Sequence, residues 1–146
     1  MESVLRQIGS VRSSLDDRTH APKQGWGSGQ EALIEILPEY VEGLQGIAAG
    51  DDVLVLTWLH LGDRSTLRVH PRDDPANPMT GVFATRSADR PNPIGLHRVT
   101  VLGIEQQRLL RVEGLEAVDG TPVVDIKPLL PWEAGIPAVT GGDGTP

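Results

Sequence analysis

The sequence, 146 residues long, contains no cysteine. That excludes disulfides, thiolate metal sites and a cysteine nucleophile. Aromatic residues make up only 3% of the chain, so Val, Leu and Ile must fill any core. No run of about 18 apolar residues occurs, and no membrane span is expected. The N-terminal residues Met1-Glu-Ser-Val-Leu-Arg6 lack a basic stretch followed by a long apolar one. No signal peptide is read there, and a cytoplasmic location is expected. The four histidines, His20, His60, His70 and His97, show no His-x3-His spacing, and no metal site is expected. Lys and Arg are missing altogether between Gln24 and Asp63. There Glu31, Glu35, Glu39, Glu42, Asp51, Asp52 and Asp63 contribute −7, which equals the net charge of the whole chain. Such a balance argues against a broad nucleic-acid-binding surface.

What is present reads as one domain of many short strands. Strands are expected over Val4–Val11, Ala32–Leu37, Val53–Leu61, Ser65–His70, Thr80–Thr85, Ile94–Ile104, Arg108–Leu115 and Thr121–Ile126. The run Val53–Leu61 is almost continuously apolar, which predicts a strand buried on both faces. A short helix is expected over Glu39–Ala48. Pro38 and the acids suit its start, Val41, Leu44, Ile47 and Ala48 give it an apolar stripe, and Gly50 fits its C-terminal cap. The glycine-rich Gly25–Gly29 neither follows a clear strand nor opens a helix, so it reads as a flexible turn beside Trp26. Strands at roughly ten-residue spacing with a single helix predict a mostly antiparallel barrel or sandwich. A domain over residues 1–132 is expected, with a loose tail of Gly, Pro and small residues over 133–146.

The chain is organised around residues 81–98, Gly-Val-Phe-Ala-Thr-Arg-Ser-Ala-Asp-Arg-Pro-Asn-Pro-Ile-Gly-Leu-His-Arg. A strand-like start breaks into a polar loop that Pro91 and Pro93 stiffen, and Ile94 resumes an apolar pattern. Arg86, Arg90 and Arg98 against Asp89 make the stretch locally positive by 2. Composition alone permits either a stiff surface turn or a grip for a polar ligand. The wording is more specific than that. Gly81-Val-Phe-Ala-Thr-Arg-Ser, followed by Arg90-Pro-Asn-Pro-Ile-Gly-Leu96, resembles the signature of the TsaA-like family of β-barrel S-adenosylmethionine-dependent methyltransferases. Asp119-Gly-Thr-Pro-Val-Val-Asp-Ile-Lys-Pro128 resembles its second signature. Ala21-Pro-Lys-Gln24 is a weaker third match.

The resemblance implies a mostly β fold, a single antiparallel β-barrel with one or two short helices. It implies S-adenosylmethionine as cofactor, a homodimer with cofactor sites near the subunit interface, and tRNA as substrate. The best-known members methylate threonylcarbamoyl-adenosine beside the anticodon. By resemblance the cofactor pocket maps onto Pro22, Lys23 and Gln24, onto His60 and Leu61, onto Arg86 and Leu96, and onto Glu116, Ala117, Val118 and Asp119. Chemistry agrees at several of these positions. The planar guanidinium of Arg86 suits the cofactor's carboxylate, and Glu116 and Asp119 suit its ribose hydroxyls or amino group. His60 is either a pocket residue or a satisfied core histidine.

Three residues are candidates for the transfer itself. Asp125 and Lys127 lie two apart on one strand face, as a structural ion pair or as a pair that positions substrate and helps remove its proton. Asn92 is a substrate-amide contact or a turn residue. The sequence departs from the family pattern at Asp51-Asp52, at Lys127-Pro128-Leu129, at Trp132 and at His97. Losing a tyrosine after Pro128 removes a stacking face for a base. A small-molecule methyl acceptor, an amine or a natural-product scaffold, therefore stands beside tRNA as an alternative. A non-catalytic cofactor- or nucleotide-sensing barrel is the third reading, disfavoured by the retention of both signatures.

Overall fold

The computed structural model describes residues 1–14 and 30–135. Six strands close on one another: β1 (Gly9–Arg12), β2 (Glu31–Ile36), β3 (Asp52–Trp58), β6 (Ile94–Glu105), β7 (Leu109–Glu113) and β8 (Pro122–Pro128). They form a closed barrel in the order β1-β2-β7-β6-β3-β8, and β1 pairs with both β2 and β8. Every pairing is antiparallel. The twelve-residue β6 serves two neighbours. Its first half pairs with β3 and its second half with β7, with a register irregularity between Val101 and Gly103.

Closure leaves one face of each strand for the core and one for the outside. The expectation that Val53–Leu61 is buried on both faces is corrected accordingly. β3 alternates, with Val53, Val55 and Thr57 buried and Asp52, Leu54, Leu56 and Trp58 only half-buried. The interior is aliphatic, as the scarcity of aromatics requires. Val11, Ile34, Val55, Val99, Leu110, Val112 and Val123 are each at most 1% exposed. Each such side chain is worth about 1.5–3 kcal/mol when buried. Leu115 and Ala117 add to the same cluster from the chain that follows β7.

Several expected elements are shorter than their sequence pattern. β1 begins at Gly9 rather than Val4, and Val4 and Leu5 stay 89% and 53% exposed. The pairing of Gly9 with Ile36 and Val123 is the first in its register, so the chain before Ile8 has no barrel partner. A Cβ at Gly9 would fall 2.4 Å from the Glu35 carbonyl oxygen, so only glycine allows the strands this close. The helix expected over Glu39–Ala48 is a 3-10 helix over Pro38–Leu44. Gly46, at φ +100, turns the chain away two residues later, ahead of the expected cap at Gly50.

The strands expected over Ser65–His70 and Thr80–Thr85 shrink to β4 (Arg68–Val69) and β5 (Thr80–Gly81), a separate two-stranded pair, followed by a 3-10 turn over Val82–Ala84. Polar and proline-rich sequence between them offers no apolar face to bury. A four-residue helix, α1 (Pro131–Ala134), crosses the boundary expected at Trp132.

Candidate functional site at one end of the barrel

Register decides which loops meet. Arg12 pairs with Leu33, Glu31 with Glu113, Thr57 with Val123 and Trp58 with Ile94. The end of β1, the start of β2, the ends of β3 and β7 and the starts of β6 and β8 therefore share one end of the barrel. The chain segments 59–93 and 114–121 emerge there together, as do the described ends of the β1–β2 connection. His60, Leu61, Arg86, Asn92 and Glu116 to Asp119 all belong to this end. Pro22, Lys23 and Gln24, like His20 and Trp26, lie outside the described residues.

The segment 114–121 is fixed by backbone bonds. The Gly120 amide donates to the Val11 carbonyl at 2.7 Å, and the Thr121 hydroxyl donates to the Val118 carbonyl at 2.7 Å. Gly120 sits at φ +88, where a side chain would be strained. Ala117 and Val118 are buried, so they offer a ligand shape and backbone rather than polar side chains. Asp119 is exposed and accepts from the Ser13 amide at 3.0 Å. Glu116 is half-buried, and its Oε1 is closed off from solvent.

The signature loop is held just as closely. Arg90 turns back into it, its Nη1 donating to the carbonyls of Thr85 and Ser87 at 2.9 Å each. The 59–65 turn braces it from the other side. The Asp63 amide donates to Asp89 at 2.9 Å, Arg64 Nε donates to the Pro91 carbonyl at 2.7 Å, and Arg64 Nη2 donates to Asn92 Oδ1 at 3.2 Å. Arg64 also lies 5.1 Å from the Trp58 ring centroid. At Gly62 a Cβ would come 2.3 Å from the Ala88 carbonyl oxygen. With Arg90 engaged inward, Arg86 is the exposed arginine of the loop. His60 is exposed, which removes the core-histidine reading, and Leu61 is 45% exposed.

Sequence reasoning passed over the polar pair beneath this loop. Thr57, fully buried, meets His97 across the β3–β6 pairing, with Oγ1 and Nε2 2.9 Å apart. Burial, and then the positive charge of Arg86, push the His97 pKa down from 6.5 to about 4. Gly95 makes room: a Cβ there would lie 2.4 Å from Thr57 Oγ1 and 2.8 Å from His97 Nε2. A glycine two residues before a histidine, both on the inward parity of a strand, is the signal that points to this cluster.

Asp125 and Lys127 are elsewhere. Opposite Leu56 and Leu54 in the β3–β8 register, they project from the outer wall, with side chains 46% and 60% exposed and an ion pair of 3.1 Å. Asp125 Oδ1 also accepts from the Ile126 amide at 2.9 Å. Leu96, 44% exposed, pairs with the same Leu56 from the other side. One outer row thus joins Asp125, Leu56 and Leu96, and a neighbouring pair joins Trp58 to Ile94, itself 42% exposed. No group of three or more His, Asp or Glu among the described residues could hold a metal ion.

Comparison with known proteins agrees with this reading of the signatures. The family model for the tRNA-methyltransferase O N-terminal domain matches residues 10–133. A probable S-adenosyl-L-methionine-binding protein of Methanothermobacter thermautotrophicus is 47% identical over 128 residues, covering 88% of this chain and 90% of the relative. A putative S-adenosylmethionine-dependent methyltransferase, RcsF of Pseudomonas aeruginosa, is 36% identical and covers 97% of this chain and 63% of its own. The crystal structure of TrmO from Pseudomonas aeruginosa superposes with a TM-score of 0.74 at 32% identity, over 96% of this chain and 61% of that one. The fold and its relatives are those of a methyltransferase. The chain belongs to the tRNA-methyltransferase O N-terminal domain family. It spans about three fifths of the solved TrmO chain.

Proposed function

We propose that this protein transfers a methyl group from S-adenosylmethionine to a nitrogen of N6-threonylcarbamoyladenosine next to the anticodon of a tRNA, in the cytoplasm and as a homodimer. The observation that carries the reading is the gathering of one exposed cation and two carboxylates, Arg86, Glu116 and Asp119, on braced loops at one barrel end. These residues fit the cofactor. Arg86 suits its carboxylate, Asp119 and Glu116 suit hydroxyl or amino groups, and the backbone of Ala117 and Val118 suits the adenine edge. The bound cofactor supplies an electrophilic methyl group.

The chain's own residues bind, orient and exclude water. Alignment of the reacting groups can lower a barrier by about 7–11 kcal/mol in favourable cases, so loops held by Arg90 and Arg64 are apt. Asp125 and Lys127 are proposed to position the substrate and take part in proton removal, with Asn92 Nδ2 free of the Arg64 contact to meet an amide. The split between the barrel end and the outer wall supports the dimer. Leu56, Leu96, Trp58 and Ile94 give the wall beside Asp125 an apolar character that a second subunit would cover, bringing the two sets of residues together.

The deciding experiment is transfer of a labelled methyl group to tRNA with and without the threonylcarbamoyl modification. Label on modified tRNA alone supports the reading. Cofactor binding without transfer to either tRNA favours a small-molecule acceptor, to which the acidic surface and the replacement of tyrosine by Leu129 also point.

A further inference from the structure

We propose that His97 is a ligand-contacting residue, whose Nδ1–H donates a hydrogen bond to the same carboxylate that Arg86 pairs with. The proposal rests on the assignment of Arg86 to the cofactor's carboxylate and extends it downward into the barrel. Alternation along β6 turns Gly95, His97, Val99 and Val101 inward. His97 is the polar member of that row, and it stands at the loop-bearing end.

The proposed tautomer of the ring has the Thr57 hydroxyl as donor. Thr57 is fully buried, and a buried hydroxyl requires a partner; its Oγ1 lies 2.9 Å from His97 Nε2. Donation from the hydroxyl to Nε2 places the ring proton on Nδ1. Nδ1 has no hydrogen-bond partner among the described residues, and His97 as a residue is half-buried. The absence of a side chain at Gly95 lets the pair close on the strand, since a Cβ there would collide with both Thr57 Oγ1 and His97 Nε2. Arg86 stands on the signature loop at this same barrel end, and its positive charge, after burial, lowers the His97 pKa. A neutral donor next to a guanidinium suits one anionic group shared by both. It adds a directed hydrogen bond without a second positive charge to repel Arg86.

The test uses amide replacements that divide the two ring nitrogens. His97→Gln keeps a polar atom at the Nε2 position, facing Thr57, and loses the Nδ1 donor. His97→Asn keeps a donor at the Nδ1 position and loses the contact with Thr57. Dissociation constants of the full chain for S-adenosylmethionine and for its decarboxylated analogue are measured by calorimetry, with thermal melting recorded alongside.

His97→Gln is expected to weaken S-adenosylmethionine about tenfold, the scale of one hydrogen bond to a charged group. Its affinity for the decarboxylated analogue should stay unchanged. His97→Asn should recover most of the lost affinity despite melting lower. Equal losses on both ligands, or no loss with His97→Gln, would overturn the role of His97. Arg86→Met separates this from failure of the underlying assignment. It should abolish the wild-type preference for the carboxylated ligand. If the wild type shows no such preference, or Arg86→Met retains it, the carboxylate assignment falls and the His97 proposal with it.

Discussion

Acidifying the protein should destabilise it through one histidine. In the unfolded chain His97 titrates near 6.5, whereas in the barrel it titrates at about 4, first because the ring is withdrawn from water and second because Arg86 is positive. Between those values the unfolded chain accepts a proton that the folded chain refuses, so protons favour unfolding. The contribution of a neutral His97 is complete above about pH 6.5 and is lost progressively as pH falls towards 4. The gap corresponds to about 3 kcal/mol at about 1.4 kcal/mol per pH unit. By pH 4.5, still above the folded value, about 2–3 kcal/mol of this has been lost. Many carboxylates change over the same range, so the measurement is a difference. Urea unfolding of the wild type and of His97→Gln is followed at pH 7.5 and 4.5. The wild type should lose about 2–3 kcal/mol more than the variant. Proton NMR of the ring gives the independent check, and Arg86→Met should raise the observed titration towards 6.5. A flat difference between the proteins, or a wild-type ring titrating near 6.5, would refute the burial argument.

Gly95→Ala places a methyl group 2.4 Å from Thr57 Oγ1 and should cost about 2–3 kcal/mol in urea unfolding; a neutral effect would mean that β3 and β6 can spread apart. Arg90→Met removes both donors to the Thr85 and Ser87 carbonyls. It should weaken S-adenosylmethionine binding about tenfold by calorimetry while the barrel's melting temperature moves little, because these bonds order a loop and not the core. Lys127→Met breaks an exposed ion pair, so its stability cost should stay below about 0.5 kcal/mol. If Lys127 assists proton removal, the single-turnover methyl-transfer rate should fall about a hundredfold, and an unaltered rate would leave the pair a structural one.

The local sequence made parts of this protein legible in advance. Alternation and turn residues located β2, β6, β7 and β8 to within a few residues, because a strand with one face in the core must repeat every two residues. The paired prolines around Asn92 marked a stiff loop, and the two signature blocks marked the family. Other expectations failed where local pattern and pairing partner disagree. Val4 and Leu5 look like strand residues but have no neighbour in the barrel. The apolar run through β3 suggested burial on both faces, yet closure exposes Leu54 and Leu56 on the outer wall. Residues 65–70 and 80–85 carry strand-forming side chains but only two paired residues each.

The sequence by itself determined the composition of the signature loop, the aliphatic core and the absence of cysteine chemistry, since each follows from which side chains are present and in what order. The tertiary structure alone decided which of them meet. Register brings segments 59–93 and 114–121 to one end and turns Asp125 and Lys127 outward beside Leu96. It also sets Thr57, forty residues from His97 in sequence, within hydrogen-bonding distance of it. No local pattern contains that information. Pairings between distant strands depend on the closure of the whole sheet, in which a shift of one residue would exchange the inner and outer faces.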